Sequence, residues 1–140
     1  MSESRATLRY PEIAEGDALP TLEVPITRTT IVAGAIASRD YQDVHHDAEL
    51  AKQRGSTDIF MNILTTNGFV GRYVTDWAGP EALIRSVDIG LGAPNYPGDT
   101  MRLRGEVKSK ASGGEVTVAV VGENDLGHHV RGEVVVVLPS

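Results

Sequence analysis

The sequence predicts an α+β fold in which an antiparallel sheet wraps around one long central helix. Two observations carry this. Residues 59–78 place Phe60, Ile63, Leu64, Val70, Tyr73, Val74 and Trp77 at mostly three- and four-residue spacing, and within that stretch only Arg72 and Asp76 are charged. A helix so apolar is expected to be largely buried. The remainder of the chain then reads as alternating strands divided by turn signals, which suits an antiparallel sheet.

In chain order, residues 1–22 are mixed and contain proline, and are expected to form an extended lead-in to a single domain over residues 23–140. Residues 23–37 read as a strand followed by an apolar segment. Thr27, Thr29, Thr30, Ile31 and Val32 favour extended structure, and Ala33-Gly34-Ala35-Ile36-Ala37 suits a short, tightly packed helix or turn. Asp47 is placed to cap a helix over residues 48–54, with Gly55 just past its end. Gly79-Pro80 closes the long helix. Strands follow over residues 84–91, 101–110, 115–121 and 130–138, the last containing the run Val134-Val135-Val136-Val137 expected of an interior strand. Ala93-Pro94-Asn95-Tyr96-Pro97-Gly98-Asp99, Ser112-Gly113-Gly114 and Glu123-Asn124-Asp125-Leu126-Gly127 supply the turns.

Composition narrows the function. With 140 residues, 41% of them apolar and 23% charged, the chain fits one ordinary domain with a real core. It has no cysteine, which excludes disulfides and thiolate chemistry. A formal net charge of −6 argues against a nucleic-acid partner. No stretch reaches the roughly eighteen apolar residues of a membrane span, and Met1-Ser2-Glu3-Ser4-Arg5 lacks a secretory apolar region. The expectation is a cytoplasmic protein without a membrane partner.

The chemistry concentrates in Ser38-Arg39-Asp40-Tyr41-Gln42-Asp43-Val44-His45-His46-Asp47, where titratable groups crowd a segment that leaves an apolar element. Asp40 and His45 could hold one water, with the carboxylate ionised and the imidazole poised near neutrality. The plain alternative is a turn-capping aspartate and a histidine packed where a helix starts. Adjacent His45-His46 and His128-His129 could suggest a metal, but neighbouring side chains in extended chain point apart, and His128-His129 falls beside a hairpin turn where solvent is the natural environment. No metal or cofactor is expected. There is no nucleophile elbow for a serine hydrolase and no glycine-rich phosphate loop before a helix.

Asp40-Tyr41-Gln42-Asp43-Val44-His45-His46-Asp47 resembles the D-x-N-P-x-H-x-D motif of the MaoC-like (R)-specific enoyl-CoA hydratases, the hydratase 2 group. Ile59-Phe60-Met61-Asn62-Ile63-Leu64-Thr65 is similar to that family's I-A-H-G-M-L-T at the start of its central helix, and Pro97-Gly98-Asp99-Thr100 to its P-G-D-T strand start. The resemblance implies the hotdog fold and the addition of water across a trans-2-enoyl-CoA to give a 3-hydroxyacyl-CoA. It assigns the catalytic pair to Asp40 and His45, and an oxyanion-binding backbone N–H to Asn62, which stands where the family has glycine. It also implies an acyl-CoA substrate bound in a tunnel between two hotdog units, as a homodimer or a heteromer with a second MaoC-like subunit. Arg72, Arg85, Arg102 and Arg104 are candidates for the CoA phosphates.

The departures from the pattern that bear on the site are Gln42 for Asn, Asp43 for Pro, Met61 for His and Asn62 for Gly. Losing the proline should leave the loop before His45 less restricted. These changes look most like the small single-hotdog subunits that hydrate bulky steroid side-chain enoyl-CoAs beside a second MaoC-like subunit. Two rivals follow from the same residues: a hotdog thioesterase, which would not need His45, and a non-catalytic subunit that completes the tunnel of another chain.

Overall fold

The computed structural model describes residues 6–140; residues 1–5, the start of the expected lead-in, lie outside the described residues. Five strands form one antiparallel sheet: β1 (Ala18–Pro25), β2 (Leu83–Leu91), β3 (Thr100–Ala111), β4 (Glu115–Asn124) and β5 (Gly127–Val137), in the order β1-β3-β4-β5-β2. The helices are α1 (Arg28–Ala37), α2 (Ala48–Gln53) and α3 (Ile63–Ala78).

The sheet curls around α3, as the alternation of its strands predicts. β4 buries every second residue, including Val116, Val118 and Val120. These meet Met101, Leu103 and Val107 of β3 and Val130, Val134 and Val136 of β5. Against this surface α3 sets Thr66, Val70, Tyr73, Val74 and Ala78. A fully buried valine or leucine stabilises a fold by about 1.5–3 kcal/mol relative to exposure, so this contact dominates the core. The helix is shorter than its apolar pattern suggests. Asn62 caps it, residues 59–61 precede it outside any helix or strand, and Ile63 and Leu64 face outward.

Two early elements differ from expectation. β1 begins at Ala18, inside the stretch read as a lead-in, and Ile13 and Leu19 are both buried. Pro20 hid the strand. It lacks an N–H and is tolerated because β1 lies on the sheet edge and its pairing with β3 slips between Leu19 and Leu22. Residues 28–32 are helical rather than extended. The Thr27 hydroxyl accepts the Thr30 N–H at 3.1 Å, and Ile31 and Ala35 become buried. A cap and tertiary packing outweigh the weak strand preference of β-branched residues.

α1 and α3 touch at Gly34. A β-carbon there would overlap Thr65 Oγ1 and lie 2.8 Å from Thr65 Cγ2 and 3.0 Å from Thr65 Cβ. Gly34→Ala is therefore expected to destabilise by about 1–3 kcal/mol, because the helices must part. A denaturation midpoint unchanged from the parent protein would contradict this.

Candidate active site

α1 ends in a way that presents Asp40. The Asp40 N–H donates to Ala35 O at 2.9 Å and the Arg39 N–H to Ile36 O at 3.0 Å. This is the paired bonding of a Schellman helix end, in which the residue after the cap turns left-handed. Here that residue is Arg39, at φ 57°. Glycine would adopt this conformation freely; arginine holds it at a cost of about 1 kcal/mol.

His45 closes a single 3₁₀ turn, Asp43–His45, and is buried. Its Nδ1 lies 2.7 Å from Phe60 O. A carbonyl only accepts, so Nδ1 carries the proton. Its other nitrogen, Nε2, lies 3.3 Å from Asp40 Oδ2. With the proton on Nδ1, Nε2 is an acceptor and so is the carboxylate, so the two present a pair of acceptors side by side. The Phe60 ring packs edge-on against the imidazole, with centroids 5.0 Å apart.

Asn62 joins this pair in a way the sequence did not assign. Its backbone N–H makes no hydrogen bond among the described residues. Its side chain is 99% buried and fully used. Nδ2 donates to Asp40 Oδ2 at 3.1 Å and to Ser38 Oγ at 2.9 Å, while Oδ1 accepts the Thr65 N–H at 3.1 Å. One residue thus caps α3 and braces the carboxylate. The Gln42 N–H approaches the other oxygen, Asp40 Oδ1, at 3.3 Å.

These groups line a cavity of about 330 Å³ whose walls include Leu91, Pro94 and His129. His129 was expected in solvent but is 1% exposed. The β4–β5 register pairs Gly122 with Val130 and Glu123 with His128, so His129 is the extra residue of a bulge. A bulge breaks the two-residue alternation and turns His129 inward beside Val130, which strand parity could not reveal. His129 Nδ1 donates to Ala93 O at 2.6 Å, and Nε2 accepts the Thr66 hydroxyl at 2.8 Å. The ring therefore ties the cavity wall to α3 in its neutral form. Burial pushes its pKa below the ordinary histidine value, against smaller upward pulls from Ala93 O and Asp99.

The sign of the consequence is fixed. The unfolded chain takes up this proton first, so stability contributed by neutral His129 is present above about pH 6.5 and is lost as pH falls toward the lower folded value. In denaturant titrations, the stability gap between the parent protein and His129→Gln should shrink from pH 7 to pH 5. A constant gap would show that His129 is not held neutral.

The four candidate arginines are not gathered. Arg102 and Arg104 share β3, Arg102 near Glu23 and Asp125 and Arg104 paired with Glu123. Arg85 is on β2, at the far side of the sheet. Arg72 pairs with Asp76 at 3.3 Å and lines an open groove of about 380 Å³ between α1 and α3, with Gly34, Ser38, Leu64 and Phe69.

Comparison with known proteins gives a consistent picture. The family described as "MaoC like domain" matches residues 12–127. The chain is 53% identical over 119 residues, 85% of its length and 92% of the relative's, to the 3-oxo-4,17-pregnadiene-20-carboxyl-CoA hydratase beta subunit of Mycobacterium tuberculosis (strain ATCC 25618 / H37Rv). Its structure is similar to a chain of the ChsH1-ChsH2 complex from Mycobacterium tuberculosis, with TM-score 0.87, 50% identity and coverage of 89% of this chain and 98% of that one. The R-hydratase PhaJ1 from Pseudomonas aeruginosa has the same fold at 20% identity, with TM-score 0.88 and coverage of 96% and 87%.

Proposed function

Because the chain belongs to the MaoC-like domain family, we propose that it is an enoyl-CoA hydratase subunit that adds water across a trans-2-enoyl-CoA carrying a bulky steroid side chain. The single observation that carries the reading is the placement of Asp40 Oδ2 and His45 Nε2 3.3 Å apart at a cavity, with His45 Nδ1 already committed to Phe60 O.

Two acceptors side by side suit a water that donates a hydrogen to each and offers its lone pair outward. Its oxygen adds to C3 of the enoyl thioester while one proton passes to the pair. The pair then returns a proton to C2, so the net change is the addition of one water. Charge builds on the thioester oxygen during the addition. The Asn62 N–H, at the N-terminal end of the sixteen-residue α3, is the donor assigned to it. Such a donor is typically worth about 10²–10³ in rate.

The site is open on one side. Leu64 and Ile63, beside the groove and the cavity, are 51% and 48% exposed, and Ile36 on α1 is 55% exposed. A second MaoC-like subunit closing this side fits both the apolar surface and the relative's standing as a beta subunit. We take β1 to β5 and the three helices as one working unit. No helix among the described residues is long and apolar enough to cross a membrane, and a cytoplasmic location is part of this proposal.

The test is loss of enoyl-thioester absorbance with a steroid side-chain substrate and a short-chain one, for the chain alone and mixed with a candidate second subunit. Hydration of the steroid-type substrate by the mixture is the expected result. Release of free CoA from a saturated acyl-CoA would indicate a thioesterase instead. No hydration by any mixture would overturn the reading.

A further inference from the structure

Asp43 stands where the resembling motif has proline, and its surroundings explain how the turn is held without one. It opens the 3₁₀ turn that carries His45. Its carbonyl accepts both the His46 N–H at 3.1 Å and the Asp47 N–H at 2.8 Å, so it anchors the chain just beyond His45. Its carboxylate meets Arg54, the C-cap of α2, through two contacts: Nε to Oδ1 at 2.7 Å and Nη2 to Oδ2 at 2.8 Å. The Arg54 guanidinium holds the Asp43 carboxyl below its ordinary pKa, so the pair is charged at neutral pH. Isolated surface ion pairs contribute little, but two-pronged arginine–carboxylate geometry is the exception in which orientation is fixed as well.

The backbone also fits proline. Gln42 sits at φ −61° and ψ 135°, the extended conformation a residue before proline must adopt. The Asp43 N–H makes no hydrogen bond among the described residues, and the first position of a helical turn tolerates proline.

We propose that the Asp43–Arg54 pair is a positioning device that fixes the His45 turn against α2, supplying by charge the restraint that proline would supply covalently. The proposal rests on the hydratase reading, in which His45 must face Asp40. Misplacement by a fraction of an ångström lowers turnover without weakening substrate binding. A charge clamp also carries a signature that proline lacks, because salt screens it.

The experiment measures kcat, KM and melting temperature for the assembled enzyme with the parent chain, Asp43→Asn, Arg54→Gln and Asp43→Pro, at low salt and at about 1 M, where the Debye length is about 3 Å. Asp43→Asn and Arg54→Gln should each lower kcat about three- to tenfold with KM unchanged. Asp43→Pro should stay within about twofold of the parent, and high salt should slow the parent chain but not Asp43→Pro. Parental kcat in Asp43→Asn and Arg54→Gln overturns the proposal. So does an Asp43→Pro chain that melts normally yet is as slow as Asp43→Asn. If Asp43→Pro does not fold, the salt response of the parent against Arg54→Gln decides. If even the parent chain fails to hydrate, the functional reading has failed; amide exchange at His46 and Asp47 then tests the clamp alone, which predicts faster exchange in Asp43→Asn and is overturned by equal rates.

Discussion

Asp40→Asn and His45→Gln are each expected to lower turnover of the enoyl thioester at least about a hundredfold in the assembled enzyme. Asparagine keeps the shape of Asp40 and one oxygen, but it loses the charge and cannot take up a proton. The Asn62 amide, which now donates to Asp40 Oδ2 at 3.1 Å, would face another amide and adjust at little structural cost. Glutamine at position 45 can still reach toward Phe60 O, but it cannot accept a proton at neutral pH. Melting temperatures should therefore move far less than rates. Both substitutions are read by kcat under saturating substrate, and because the residues act as one unit the double variant should be little worse than either single one. Near-parental turnover in both would remove the mechanism and leave the chain as a structural companion to another catalyst.

Gly132→Ala should cause the largest loss of stability from a single methyl group, about 3 kcal/mol or more. Gly132 is on β5, paired with Ile89 of β2. A β-carbon built there overlaps the Asp88 carbonyl oxygen and lies 2.7 Å from Ile89 Cα. The obstacles are backbone atoms, which cannot rotate aside, so β2 must lift from the sheet. That strand ends at Leu91, in the wall of the cavity, so activity should fall as well. Gly90→Ala is the control: it lies on the neighbouring strand β2 with nothing within 4 Å of its built β-carbon, and should change stability by less than about 0.5 kcal/mol. The comparison is made from denaturant midpoints at constant slope. A Gly132→Ala protein as stable as Gly90→Ala would show that β2 yields easily.

The sequence made the frame of the molecule legible because its strongest signals are periodic. The alternation in β4 and the spacing of Val70, Tyr73 and Val74 each reflect one buried face, and the structure buries those faces. Signals that depend on a cap or an irregularity were less visible. Residues 28–32 have strand-like side chains, yet Thr27 starts a helix there. His129 is moved inward by one inserted residue. At the site, the order of Asp40 and His45 marked the pair, and folding brings their side chains within 3.3 Å. The side-chain work of Asn62 and the Asp43–Arg54 contact join residues 22 and 11 positions apart, and spacing alone carries no trace of either. The missing proline suggested a looser loop; the aspartate in its place meets an arginine farther along the chain.

The uncovered side of the cleft has an implication for how much working enzyme a cell can hold. If a second MaoC-like subunit covers Ile36, Ile63 and Leu64 as proposed, output would be set by whichever of the two polypeptides is scarcer. Surplus copies of this one would carry a sticky face with no mate, so matched synthesis of both chains would guard against clumping as well as idle catalyst.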